Sequence, residues 1–142
     1  MSEATNDRAK IHRRVRDQHA TELAQDYLEA IQEVRLRRDD VRVSDLQEVF
    51  GVSHVTVIRT LKRLEDQGLL TSSKSKEITL TRKGSVIAKK AAARHELLRS
   101  FFIALGVGEA QADADAEGAE HHLSEETLDA IRRFLSSRET RD

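Results

Sequence analysis

The densest chemistry in this 142-residue chain lies between Asp115 and Leu123. If the stretch is helical, Glu117, Glu120 and His121 fall at i, i+3 and i+4 and share one face. Two carboxylates and an imidazole make a poor apolar stripe but a workable set of metal ligands. A second carboxylate pair at i and i+3, Asp26 and Glu29, sits near the start of the chain, and His95 falls within a long helical pattern. Together these are four carboxylates and two imidazoles. Such an oxygen-rich, thiol-free set suits Mn(II) and Fe(II) better than softer metals, and four carboxylates suffice to bridge two cations. The alternative is a solvated acidic helix end, two stray histidines and an ordinary surface pair at Asp26 and Glu29. Spacing alone leaves both open.

Composition bounds the scaffold that must position these groups. Charged residues make up 35% and aromatics 4%, with no Pro, Trp or Cys. That balance favours helix over sheet and excludes disulfides and thiolate metal sites. No apolar run approaches the ~18 residues that span a bilayer, and the N-terminal stretch lacks an apolar signal region, so a soluble cytoplasmic protein is expected. Charge is unevenly distributed. Residues 1–100 carry 20 Lys and Arg against 15 Asp and Glu, a net +5, while residues 101–142 carry 4 against 10, a net −6. A basic part and an acidic part fit a nucleic-acid-binding half joined to a cation-binding half. Two ordinary solvated surfaces would look the same on this feature alone.

Residues 1–19 lack helical periodicity until about Arg13 and are expected to form a flexible arm, basic at Arg13, Arg14 and Arg16. The first helix is expected from about Ala20 to Arg38, with Leu23, Tyr27, Ile31 and Val34 on its apolar face. Val41 and Val43 suggest a strand-like entry. Ser44, with Gln47 three residues on, suggests the cap of a short helix that buries Leu46, Val49 and Phe50 and ends at Gly51. Ser53 opens the next helix, cored by Val57, Leu61 and Leu64 and stopped by Gly68. Two short helices joined by a tight glycine turn are a helix-turn-helix signature.

The outward face of the second helix carries His54, Thr56, Arg59, Lys62 and Arg63, with no carboxylate before Glu65. A recognition helix needs such donors and cations, the N-terminal ones for base edges and the others for phosphates. Alternating residues on either side of Lys74 and Lys76 predict a hairpin with a basic tip, a wing. Ser53, His54, Thr56, Arg59, Lys62, Arg63, Lys74 and Lys76 are therefore the candidate DNA-binding residues. The alternative is a winged helix used for protein contacts only.

Thr81 is expected to cap a long helix to about Leu105, with Val86, Ile87, Ala91 and Leu98 buried and Gly106 and Gly108 ending it. An acidic helix follows over residues 109–122. Ser124 caps the last helix, whose apolar positions are Leu128, Ile131, Phe134 and Leu135. So many apolar stripes in a short chain point to a homodimer. The expected fold is mainly α with a small β-wing. Residues 1–19 form the arm, 20–82 a winged helix-turn-helix domain and 83–142 a helical metal-binding and dimerisation domain.

Four segments then carry a resemblance: Asp26–Glu29 (D-Y-L-E), the helix-turn-helix from Val43 to Leu70, Arg94–Leu98 (R-H-E-L-L) and Ala116–Ser124 (A-E-G-A-E-H-H-L-S). From about Glu22 to Phe134 the chain resembles the manganese-responsive branch of the diphtheria-toxin-repressor family of metal-dependent repressors. The resemblance implies six metal ligands: Asp26, Glu29, His95, Glu117, Glu120 and His121. It implies two Mn(II) ions per subunit, with Glu29 and Glu120 bridging, and assigns no ligand role to His122. Iron-sensing members carry Met where this chain has Asp26 and Cys where it has Glu117, and their longer forms add an SH3-like domain without counterpart here. The implied partners are a second subunit and double-stranded operator DNA, with no membrane or organic substrate, and the implied output is repression of manganese uptake genes. An enzyme is not expected. A ferritin-like di-metal site needs Glu-x-x-His pairs from two helices, whereas here the histidine directly follows Glu120. A metal-independent repressor that binds an organic effector remains a rival, distinguished by its indifference to chelator.

Overall fold

A computed structural model of the chain describes residues 3–72 and 77–141. Among the described residues there are six helices and one two-stranded sheet: α1 (Glu3–Arg37), α2 (Val43–Phe50), α3 (His54–Asp66), β1 (Leu70–Ser72), β2 (Ile78–Leu80), α4 (Arg82–Ala104), α5 (Glu109–Ala119) and α6 (Glu125–Glu139). The chain divides into two compact units, residues 1–89 and 90–142. Among the described residues no helix is long and apolar enough to cross a membrane.

The first unit is a winged helix-turn-helix. Its core gathers Tyr27, Leu28 and Ile31 of α1, Val41, Leu46 of α2, Val57, Leu61 and Leu64 of α3, and Leu70 and Ile78 of the sheet. Tyr27 and Phe50 stack nearly parallel, ring centres 4.3 Å apart. The strands pair antiparallel with Leu70 opposite Leu80 and Ser72 opposite Ile78. Glu65 of α3 ties this wing down by accepting a hydrogen bond from the Ser72 N–H at 3.0 Å. The turn between the helices closes on Gly51, whose φ of 62° is the left-handed conformation that other residues adopt at a cost. The start of α4 packs so tightly on the end of the α3–β1 turn that a Cβ on Gly84 would lie 1.9 Å from the Leu69 carbonyl oxygen.

Several local expectations are revised. The first helix begins at Glu3, not near Ala20. With no Pro or Gly before residue 51, nothing in this stretch breaks a helix, and the first four turns need no apolar face because they are mostly exposed. Its buried face runs through Tyr27, Leu28 and Ile31, and Leu23 is exposed. Val41 and Val43 form no strand. Val41 is buried and its carbonyl accepts from the Ile78 N–H, while Val43 is the first residue of α2. The cap of α2 is Arg42, not Ser44. The Arg42 N–H donates to Asp45 Oδ2 at 2.9 Å, and the Asp45 N–H donates back to the Arg42 carbonyl. A carboxylate accepts more strongly than the hydroxyl one residue earlier, and the Arg38 guanidinium adds an ion pair. Val49 of α2 and Val86 of α4 are exposed, not buried.

The second unit is built from the rest of α4 with α5 and α6. Its buried apolar residues are Ala91, Leu98, Ala112, Ala116, Leu128 and Ile131, half of them alanines, with Phe101, Phe102, Leu123 and Leu135 partly covered. Ser124 caps α6 as expected, accepting from the Thr127 N–H at 3.2 Å. Phe101 meets Phe134 edge-on, yet Phe134 remains 39% exposed and Leu105 58%. The acidic helix stops at Ala119, not His122. Glu120 keeps α-helical angles and its N–H still donates to the Ala116 carbonyl, but the His122 N–H donates to Ala119, tightening the last turn.

Candidate metal centre and DNA-reading face

The recognition face is a product of its cap and its core. Ser53 Oγ accepts from the Thr56 N–H at 3.2 Å and lies 3.0 Å from Thr56 Oγ1, so the two hydroxyls also engage each other. The cap starts α3 in a register that sends Val57, Thr60, Leu61 and Leu64 inward. His54, Thr56, Arg59, Lys62 and Arg63 are consequently exposed along one side. Two apolar residues that the sequence pattern did not single out, Val55 and Ile58, are exposed among them. Lys74 and Lys76, at the expected wing tip, lie outside the described residues.

In the second unit the cluster forms where α4 and the end of α5 meet. His95 Nδ1 lies 3.2 Å from Glu117 Oε2 and 3.2 Å from Glu120 Oε2. His121 Nε2 lies 3.2 Å from the other oxygen, Glu120 Oε1. Glu120 is only 1% exposed, and burying an ionised carboxylate costs several kcal/mol unless positive charge meets it. A single proton on His95 Nδ1 can serve one of the two carboxylates facing it, not both. A cation fits all three donors. Adjacent ligands of an octahedral ion with bonds of about 2.0–2.2 Å are separated by about 3 Å, and the donor atoms of His95, Glu117 and Glu120 all lie within 4.8 Å of one another. Nitrogen and oxygen donors without sulfur match Mn(II) or Fe(II).

In the first unit Asp26 and Glu29 stand one turn apart on α1, both half-buried, on the same side of the helix. Sequence reasoning missed Asp113. Its Oδ1 lies 2.7 Å from His95 Nε2, and a signal was present in the chain: Asp113, Glu117 and Glu120 are spaced i, i+4, i+7.

Fold and site define the class: a metal-dependent regulator with a winged-helix DNA-binding domain. Residues 19–78 match the family model of the iron-dependent repressor N-terminal DNA-binding domain, and residues 81–141 match that of the iron-dependent repressor metal-binding and dimerisation domain. The transcriptional regulator MntR of Escherichia coli O6:H1 is 41% identical over 122 residues, which is 86% of this chain and 79% of that protein. MntR of Salmonella typhimurium is 38% identical over 90% of this chain and 82% of its own length. A solved manganese-dependent transcriptional repressor in complex with manganese superposes with a TM-score of 0.71 at 32% identity, over 79% of this chain. The chain spans about half the length of that protein, 52%. The chain belongs to the iron-dependent repressor family, as a regulator of the MntR type, and its family is one of transcriptional repressors, not enzymes.

Proposed function

We propose that this protein is a cytoplasmic manganese-responsive repressor whose DNA affinity is set by Mn(II). The observation that carries the reading is the convergence of His95, Glu117 and Glu120 around one point, with Glu120 fully buried. Asp26, Glu29, His95, Glu117, Glu120 and His121 would hold two Mn(II) ions per subunit. Bound Mn(II) would neutralise these carboxylates and hold the DNA-binding and dimerisation units in one arrangement.

The residues set the logic of the switch. Asp26 and Glu29 belong to the helix that packs against the helix-turn-helix, while His95, Glu117, Glu120 and His121 belong to the other unit. Without a cation four carboxylates repel one another, and the recognition helices of a homodimer sample many spacings. With the charges met, the spacing suits half-sites roughly one DNA turn apart, ~34–36 Å, and operator affinity rises by selection of that state. His54 and Thr56 would approach base edges, with Ser53 at the helix start, and Arg59, Lys62, Arg63, Lys74 and Lys76 would meet phosphates. The alanine-rich core of the second unit and its exposed Leu105 and Phe134 support a homodimer through α4–α6. The regulated genes would be those of manganese uptake.

The test is operator binding by fluorescence anisotropy, on DNA from a manganese-transporter promoter, with Mn(II), Fe(II), Zn(II) or EDTA. Mn(II) is expected to give tight binding that EDTA abolishes. Zn(II) is expected to bind the protein but activate poorly, because four ligands satisfy it and a subset of the site suffices. Equal responses to Mn(II) and EDTA would overturn the metal-dependent reading, and equal responses to Zn(II) and Mn(II) the argument for manganese. Asp26→Met with Glu117→Cys is expected to move the response toward Fe(II).

A further inference from the structure

We infer that Asp113 is a positioning residue of the metal centre. Its carboxylate fixes the His95 ring so that Nδ1 is the metal donor. This rests on the metal-binding reading above and assigns a role to a residue outside the six expected ligands.

The chemistry follows from the two faces of one ring. His95 Nε2 lies 2.7 Å from Asp113 Oδ1, while Nδ1 faces Glu117 and Glu120 at 3.2 Å each. An ionised carboxylate only accepts, so Nε2 must carry a proton to make that short contact. In the neutral ring the proton on Nε2 leaves a lone pair on Nδ1, aimed where the two glutamates converge. Without Asp113 the neutral ring is free to place its proton on Nδ1, which removes the donor electron pair from the cluster. A carboxylate bonded to the far nitrogen also raises the basicity of the coordinating one and stops ring rotation. The Asp113 side chain is itself steadied by Arg99, whose Nε lies 3.8 Å from the same Oδ1. Position supports the assignment. Asp113 lies one turn before Glu117 on α5, so the helix that supplies a ligand also supplies the group that orients a second ligand on α4. A surface ion pair between Asp113 and Arg99 alone would leave the 2.7 Å approach to His95 unexplained.

The Asp113 side chain is 62% exposed, so water competes for the bond and the effect belongs at the lower end of those seen for such outer partners. The full-length protein is used, with Mn(II) affinity read by the electron paramagnetic resonance of free Mn(II). The state of the His95 ring nitrogens is read by long-range proton–nitrogen NMR on protein loaded with diamagnetic Cd(II). Asp113→Ala is expected to weaken Mn(II) binding about tenfold and to remove the slowly exchanging proton at His95 Nε2. Asp113→Asn, whose Oδ1 still accepts from Nε2–H, is expected to restore that proton and most of the affinity. Unchanged affinity and an unchanged Nε2 proton in Asp113→Ala would overturn the inference. So would equal losses in both variants with the Nε2 proton retained, which would make Asp113 a source of charge only. His95→Ala separates the two levels. If it binds Mn(II) like the wild type, the metal site itself is wrong; if it loses binding while Asp113→Ala does not, only the positioning role is.

Discussion

The two units of this chain use charge in opposite ways. On α3 the ionisable groups are all outside, on a helix whose inner face is Val57, Thr60, Leu61 and Leu64. The helix would form and pack without Arg59 or Lys62. In the second unit two ionisable groups just past the end of α5 are inside, while most of the others stay exposed. Glu120 is 1% exposed, and the side chain of His121 likewise. A surface helix presents chemistry at almost no cost in stability, as phosphate binding requires. A buried carboxylate is costly until a cation arrives, which is what makes a site responsive to that cation.

This contrast can be broken, beginning with the largest expected effect. Glu120→Gln keeps the shape and removes the buried charge. Mn(II)-dependent operator affinity is expected to fall by up to about 100-fold, read by anisotropy at saturating Mn(II), while the metal-free protein melts no lower than the wild type. A variant that melts lower would mean Glu120 stabilises the fold, and the contrast would fail.

Gly84→Ala probes the first unit, where packing and not charge is limiting. A Cβ there meets the Leu69 backbone, so α4 must shift away. The urea midpoint is expected to drop, by about 1–3 kcal/mol of stability, with the Mn(II) response of the surviving folded protein retained. An unaltered midpoint would mean that the start of α4 yields easily.

Arg59→Ala with Lys62→Ala is smaller still, because both groups are exposed. Folding and Mn(II) affinity should stay as they are. The logarithmic salt dependence of operator binding should flatten by about one unit for each phosphate that is no longer neutralised. An unchanged slope would take this face out of the interface.

The least effect belongs to Asp45. The Arg42 backbone N–H, aided by Arg38, holds its carboxyl below the usual 3.8. A folded value below the unfolded one stabilises the ionised state, so the contribution is full above 3.8 and is lost as pH falls through the folded value. Asp45→Asn is expected to lower stability by less than about 1 kcal/mol at neutral pH, with the gap closing in acid. A gap that widened in acid would reverse the sign of this argument.

Periodicity and caps were enough to place α3, α6 and the turns at Gly51 and Gly68, because those features act within one or two turns of chain. The spacing of Glu117 and Glu120 likewise marked a shared face, since a helix brings i and i+3 together whatever surrounds it. Tertiary structure decided the rest. Leu28, not Leu23, faces the core, and Val49 and Val86 are exposed, because burial depends on which neighbour arrives and not on hydropathy. Asp45 displaced Ser44 at the start of α2 because its carboxylate accepts from the Arg42 N–H, with Arg38, seven residues away, adding an ion pair. The sequence offered His95 as a possible donor, and the family resemblance made it an implied ligand, but its pairing with Asp113 was not read from the sequence. Their partnership spans 18 residues and the loop between two helices, and no local pattern encodes which two faces such a loop will bring together.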